Sequence, residues 1–224
     1  MTTTAPEPSL LQTPSAPPRR RTLLVLAGVF VIIVVGVLLA TGQSNEPDSS
    51  LETIKSAYDQ SHGVIAWTSY AAMAACAVLV FLGGALRSAL RLRRAPWTAD
   101  VAMLGFVVIA LTLASWTVSG LTMWNAVNDG ESSAVRTLNY IDTSNFLPLM
   151  LGMACAMIGT GAAGLAGGSL PRWFAIGSVV LGCLAPLGPL GFVPAMLLPV
   201  WIIAVAGLVR LDSARSDDAS IAPA

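Results

Sequence analysis

Long apolar runs separated by short polar stretches are the main pattern along this chain. The first run extends from Thr22 to Ala40, the second from Val64 to about Leu86, the third from about Val101 to Trp124 and the fourth from about Asn145 to Gly167. A helix needs about 20 predominantly apolar residues to cross the hydrocarbon core of a bilayer. Each run therefore predicts a transmembrane helix.

The last apolar region, from Trp173 to Val209, is too long for one ordinary span. Its centre reads APLGPLGFVP, in which prolines remove backbone donors and glycines favour turns. We therefore expect a fifth span at about Pro171 to Leu187 and a sixth at about Phe192 to Val209. A single kinked helix, with five spans overall, is the alternative.

The arginines favour the arrangement with six spans. With the N-terminus inside, six spans place ten of the twelve basic residues in the cytoplasm, whereas five spans would place eight there. Cytoplasmic loops of membrane proteins carry an excess of Lys and Arg. The ten are Arg19, Arg20, Arg21, Arg87, Arg91, Arg93, Arg94, Arg172, Arg210 and Arg215, and only Lys55 and Arg136 lie outside.

Composition supports the same class of protein. Hydrophobic residues make up 55% of the chain and charged residues 11%, whereas a soluble domain carries about 25% charged residues. The predicted fold is all-α, an integral membrane bundle of six transmembrane helices over residues 22–211, with both termini cytoplasmic and the inner (plasma) membrane as its location. The formal net charge is zero, so no attraction to nucleic acid is implied.

Both ends of the chain are predicted to be disordered cytoplasmic tails, residues 1–21 and 212–224. The first is rich in proline and lacks an apolar period. The following run, with its basic flank, could instead be a cleaved secretory signal. However, it is longer than a usual signal core, and Leu38-Leu39-Ala40 lacks the small-residue cleavage pattern. An uncleaved anchor is therefore favoured.

A short helix at the membrane surface is predicted between the first two spans. Ser49 and Glu52 have the spacing of a capping box, and Leu51, Ile54 and Tyr58 then share one helical face.

The most concentrated polar residues are predicted to meet at the outer face, where three helix ends are level. They are His62, Asn125, Asn128, Tyr140, Asp142 and Asn145. One interpretation is a vestibule for a small ligand or ion, with His62 and Asp142 as its titratable pair. The other is a set of ordinary interfacial residues, with Asp142 or Ser144 capping the fourth helix. The candidate binding residues are His62, Asp142, Asn145 and Tyr140.

No motif in the sequence indicates catalysis, a cofactor or a metal. Walker, HExxH and GxSxG patterns are absent from it. Cys76, Cys155 and Cys183 each lie inside an apolar run without a CxxC pair, which argues against a disulfide or a zinc site. No ionisable residue falls in the middle of a span, which argues against a proton pump built on a buried carboxylate. We therefore expect a protein that is not an enzyme.

The fourth span carries small residues at every fourth position. This small-residue seam consists of Gly152, Ala156, Thr160, Gly164 and Gly168. Small residues let helices approach closely, and the partner could be an internal helix or a second copy. In the third span, the hydroxyls of Thr112, Ser115, Ser119 and Thr122 are expected to bond to the carbonyl four residues earlier.

Four segments resemble a known group of proteins: IKSAYDQSHGVIAWTSYAAMAACAVLVFLGGALRSALR, YIDTSNFLPLML, LPRWFAIGSVVLG and LPVWIIAVAGLVRL. Over about residues 50–211 the chain resembles the uncharacterised multi-pass membrane proteins common in actinobacteria. The resemblance implies a six-helix bundle and no catalytic residues. The leading hypothesis is a structural, regulatory or partner-binding protein, whose partners are the lipid bilayer and a second copy or another membrane protein. The rival is a small-solute transporter, which should show midplane polar groups or interrupted helices in matched halves.

Overall fold

A computed structural model describes residues 20–41, 50, 52–54, 56, 62–90 and 96–211. These residues form seven α-helices of 13 residues or more and contain no β-strand, so the predicted all-α bundle is confirmed. The helices are α1 (Arg20–Thr41), α2 (His62–Leu90), α3 (Pro96–Asn128), α4 (Ser132–Ser144), α5 (Phe146–Gly167), α6 (Arg172–Leu184) and α7 (Phe192–Leu208). Of the predicted tails, Arg20 and Arg21 belong to α1, and residues 1–19 and 212–224 lie outside the described part.

Five helical segments are long and apolar enough to cross a membrane: α1, α2, α3, the α4–α5 pair, and α7 with the short 3₁₀ turn before it. The predicted fifth span, about Pro171 to Leu187, corresponds to α6, which has only 13 residues. The apolar α5 begins within one residue of the predicted start of the fourth span and ends at the predicted Gly167.

The last apolar region folds into two antiparallel helices. The start of α6 and the end of α7 are joined by a 2.8 Å hydrogen bond from the backbone N–H of Arg210 to the carbonyl oxygen of Ser169. Between the helices, Gly188 has a φ of 58°, a left-handed conformation that glycine adopts without strain. The single kinked helix is therefore wrong, because the proline- and glycine-rich segment reverses the chain.

Helix α5 lies between α3 and α6, and glycines bring their backbones into contact. A Cβ atom added to Gly105 of α3 would lie 2.2 Å from the backbone nitrogen of Ala156 in α5. A Cβ added to Gly159 would lie 2.5 Å from the backbone nitrogen of Ala102, and one added to Gly161 would lie 2.5 Å from the carbonyl oxygen of Ala175 in α6. Only glycine permits such close approach at these three positions.

The small-residue seam of α5 therefore packs inside the chain. Gly152 and Ala156 face α3, and Gly164 faces Leu170 in the turn before α6. Thr160 is fully buried. Gly168 instead ends α5 with a φ of 64°, as a left-handed C-cap.

Apolar side chains fill the middle of the bundle. Phe106 of α3 stacks on Trp201 of α7, with ring centroids 6.1 Å apart, and Met153 and Met157 of α5 are fully buried. The indole N–H of Trp201 donates to Ser178 Oγ at 2.9 Å. This bond satisfies a polar group that would be costly to bury alone.

One end of the bundle, which we call the basic end, carries most of the described arginines. There the Arg20 guanidinium donates to the carbonyl oxygen of Gly207, and so ties α1 to the last turn of α7. Arg87 Nε lies 2.5 Å from Asp100 Oδ1, linking the end of α2 to the start of α3. Antiparallel packing places the start of α1, the end of α7 and the facing ends of α2 and α3 at this end.

At the opposite end, α3 and α4 form a hairpin with a small apolar cluster of its own. Val135 of α4 packs with Met123, Ala126 and Val127 of α3, and Ile54 from the preceding connection completes the cluster. The apolar pattern did not predict α4, because residues 129–142 lie in the polar stretch between the third and fourth apolar runs and include Asp129, Glu131, Arg136 and Asp142. This cluster gives the segment an apolar face to bury, which is what stabilises a helix in water.

The predicted short helix before α2 is present at residues 52–54 and 56. Its capping residue is Ser50, whose Oγ accepts the backbone N–H of Thr53 at 3.2 Å. Ser49, Leu51 and Tyr58 lie outside the described residues.

Candidate functional site

Two hydrogen bonds hold the junction of α4 and α5 against α3, and they define the candidate site. The Ser115 hydroxyl donates to Asn145 Oδ1 at 3.3 Å, and the indole N–H of Trp116 donates to the backbone carbonyl oxygen of Asp142 at 3.0 Å. Because Asp142 and Asn145 are three residues apart, they fall on neighbouring positions of one helical surface.

The bond made by Ser115 differs from the predicted one. Thr112 and Thr122 do donate to the carbonyl four residues earlier, at 2.9 and 2.8 Å. Ser115 instead donates across the helix interface, because the Asn145 amide lies within reach. Spacing along one helix could not reveal this acceptor.

The predicted N-cap by Asp142 or Ser144 is wrong. Both residues lie inside α4, and Asn145 between the two helices has a helical conformation (φ −62°, ψ −11°) without a side-chain cap bond. The backbone N–H of Asn145 donates to the carbonyl oxygen of Ile141 at 3.0 Å. The first backbone N–H groups of a helix normally lack a partner within that helix. At the start of α5, carbonyl oxygens of α4 supply such partners.

Two groups in the site are poorly solvated. The Asp142 carboxyl lies in α4, before the apolar α5, and its partial burial raises its pKa above the ordinary value, because burial disfavours the charged form. The Asn145 Nδ2 atom is buried and has no hydrogen-bond partner among the described residues. An unpaired buried donor costs about 1–3 kcal/mol.

Three of the other predicted polar residues have exposed side chains. Tyr140, Asn125 and Asn128 are exposed. His62 is the first residue of α2, at the same end of the bundle, and its side chain lies outside the described part. The titratable pair of His62 and Asp142 stays a prediction.

Sequence reasoning missed three residues of the site: Ser115, Trp116 and Asn139. Asn139 is buried on α4, one turn before Asp142. The spacing of Val135, Leu138, Asn139 and Asp142 follows the period of one helix face, and this signal could have identified α4. No sequence signal pairs Ser115 with Asn145.

The cysteines lie in three different helices and are free: Cys76 is buried in α2, Cys155 is partly buried in α5 and Cys183 is exposed on α6. Within the described part of the chain, no three His, Cys, Asp or Glu residues are grouped so that they could hold a metal ion.

No family model, no curated protein and no solved structure is significantly similar to this chain. The resemblance to actinobacterial membrane proteins therefore stays a prediction, and the proposed function rests on the residues and packing of this chain.

Proposed function

We propose that this chain is a multi-pass protein of the inner (plasma) membrane that acts without catalysis, as a structural, regulatory or partner-binding component. In this proposal six helices cross the bilayer, namely α1, α2, α3, α5, α6 and α7, and the basic end with both termini lies in the cytoplasm.

The packing of the interior is the observation that carries this proposal. Gly105 and Gly159 bring α3 and α5 into backbone contact, and Phe106, Met157 and Trp201 are buried in the same core. A solute pathway needs polar groups or water near the midplane. Among the described residues, every side chain that is fully buried and large is apolar.

The distribution of charge supports the proposed orientation. Arg20, Arg87, Arg172 and Arg210 belong to the basic end, whereas Arg136 is the only arginine on the described part of the α3–α4 hairpin. Short cytoplasmic connections are enriched in arginine. A reporter fused after Arg215 should therefore report the cytoplasm. An external location would contradict the proposed orientation.

A transporter of a small solute or ion is the second candidate, and the pair of Asp142 and Asn145 favours it. A half-buried carboxyl close to a buried amide Nδ2 that has no partner among the described residues is an arrangement that a ligand could complete. The pair lies at the end of the bundle opposite the basic end, however, and not between matched broken helices, as many transporter folds would require.

Crosslinking and flux measurements separate the two candidates. A photo-crosslinking amino acid would replace Ile32, which is 74% exposed on α1, and the protein would be irradiated in native membranes. The partner-binding proposal expects one discrete protein adduct there, a second copy or another chain, and no ion flux in proteoliposomes above that of empty vesicles.

The control position is Phe81, which is exposed on α2. A crosslinker at Phe81 should give lipid adducts, or protein adducts that differ from those at Ile32, because faces of two different helices do not bind the same surface of a partner. No discrete adduct from either position, together with flux that Asp142→Asn removes, would replace the partner-binding proposal by transport.

A further inference from the structure

Exposed tryptophan and tyrosine side chains lie towards both ends of the bundle. Trp97 and Trp173, which we call the near ring, lie at the basic end, and Trp67, Tyr70 and Tyr140, which we call the far ring, lie towards the opposite end. Each of the five is at least 58% exposed. Tryptophan and tyrosine with exposed rings are enriched where a membrane meets water.

The distance between the near ring and the far ring can be counted in residues along α3. The ion pair between Arg87 and Asp100 sets the register of the antiparallel α2, so Tyr70 lies level with about residue 117 of α3. Trp97 is thus about 20 residues from that level, which is about 30 Å at 1.5 Å per residue. The hydrocarbon core of a bilayer is also about 30 Å thick.

A second contact with α3, made by the α4–α5 junction, places Tyr140 at nearly the same level along α3 as Tyr70. Ser115 bonds to Asn145, and Tyr140 lies five residues further out on the α4 side. Tyr140 is therefore level with about residue 120 of α3, close to Tyr70. The hairpin beyond this level, with Asp129 and Glu131, extends past the far ring.

The turn between α6 and α7 stops short of the far ring. A Cβ at Gly182 would meet Ile158 and Ala154 of α5, and one at Gly191 would lie 2.7 Å from Met150 Cε. Met150 is ten residues further along α4 and α5 than Tyr140. Phe192, at the end of the turn, stacks on Phe146 with ring centroids 4.7 Å apart, and Phe146 is six residues further along than Tyr140. The turn therefore lies about 9–15 Å inside the far ring, at about 1.5 Å per helical residue.

The chemistry of this turn suits an apolar solvent. Leu187 and Leu190 are each 53% exposed, and their backbone N–H groups donate to the carbonyl oxygens of Leu184 and Leu187. Pro186 and Pro189 have no N–H group to satisfy. Backbone polar groups exposed to lipid must be satisfied within the protein, and the prolines reduce the number that need a partner.

We propose that the turn from Ala185 to Phe192 lies inside the leaflet at this end of the bundle, in contact with lipid acyl chains, while the α3–α4 hairpin beside it stands in water. This inference rests on the proposed membrane location, but not on which end faces the cytoplasm. The partner of the exposed leucines is lipid, and not a protein or the aqueous phase.

Single cysteines test the depth of the turn. Cys76, Cys155 and Cys183 are replaced by alanine, and one cysteine is introduced at Leu187, at Ser133 on the hairpin or at Phe81 in α2, which is 70% exposed. Each variant is reconstituted in phospholipid vesicles and labelled with a fluorophore. Quenching is then measured with iodide in water and with a nitroxide carried on the acyl chain.

We expect the probe at Leu187 to be quenched by the acyl-chain nitroxide, like the probe at Phe81, and the probe at Ser133 to be quenched by iodide. A water-soluble maleimide should react at least about tenfold more slowly with the cysteine at Leu187 than with that at Ser133, because the leaflet excludes it. Equal reaction rates would overturn the inference, and so would protection of Leu187 from both quenchers, since a protein would then cover the turn. Loss of nitroxide quenching at Phe81 would instead contradict the proposed membrane location.

Discussion

Replacing Gly105 by alanine should destabilise the protein, because α3 and α5 touch there through their backbones. The added Cβ would lie 2.2 Å from Ala156 N and 2.7 Å from the carbonyl oxygen of Gly152. Carbon atoms pack at about 3.5–4.0 Å, so the helices must separate by about 1 Å. Overpacking of this kind costs about 1–3 kcal/mol, and the backbone atoms cannot rotate away as a side chain could.

Gly120 on the same helix is the matched control, because a Cβ there would meet nothing within 4 Å. Gly120→Ala should leave stability unchanged or raise it by up to about 1 kcal/mol, through the higher helix propensity of alanine. The two variants therefore make the same chemical change on one helix with opposite expected signs.

The measurement is unfolding in mixed micelles of mild detergent and SDS, followed by tryptophan fluorescence. Adding Gly159→Ala to Gly105→Ala should cost less than the two single losses combined, because the first alanine already separates the helices. If Gly105→Ala were as stable as Gly120→Ala, the close contact of α3 and α5 would be wrong.

Three further predictions concern the turn after α5 and the candidate site. Gly164→Leu should lower stability by about 1–3 kcal/mol, because its side chain would overlap Leu170; unchanged melting in detergent would show that Gly164 faces lipid. Since the folded pKa of Asp142 is raised, the folded state binds more protons than the unfolded state between the ordinary and the raised value. The free energy of unfolding should therefore fall as pH rises from the ordinary to the raised pKa of Asp142, and Asp142→Asn should remove this part of its pH dependence. Identical pH profiles of unfolding in both proteins would show that Asp142 does not cause it. The double variant His62→Gln with Asp142→Asn should complement a deletion strain fully, and loss of complementation with normal membrane insertion would favour the transporter.

The sequence predicted the apolar helices well, because crossing a bilayer depends on the local supply of apolar residues. The run from Asn145 to Gly167 became α5 within one residue, and the break around Gly188 was correctly assigned to a chain reversal. The small-residue seam was also read correctly as a surface for close approach.

The tertiary structure alone decided which surfaces meet. The spacing of Gly152 and Ala156 could not say whether they face α3 or a second copy, because both give the same four-residue period. The apolar period of α4 is visible in the sequence, but the surface that buries it, around Met123 of α3, is set by how the two helices pack. For Ser115, the sequence predicted a hydrogen bond to the carbonyl four residues earlier, because the spacing along one helix is known in advance. The distance from Ser115 to Asn145 is instead set by how two helices pack.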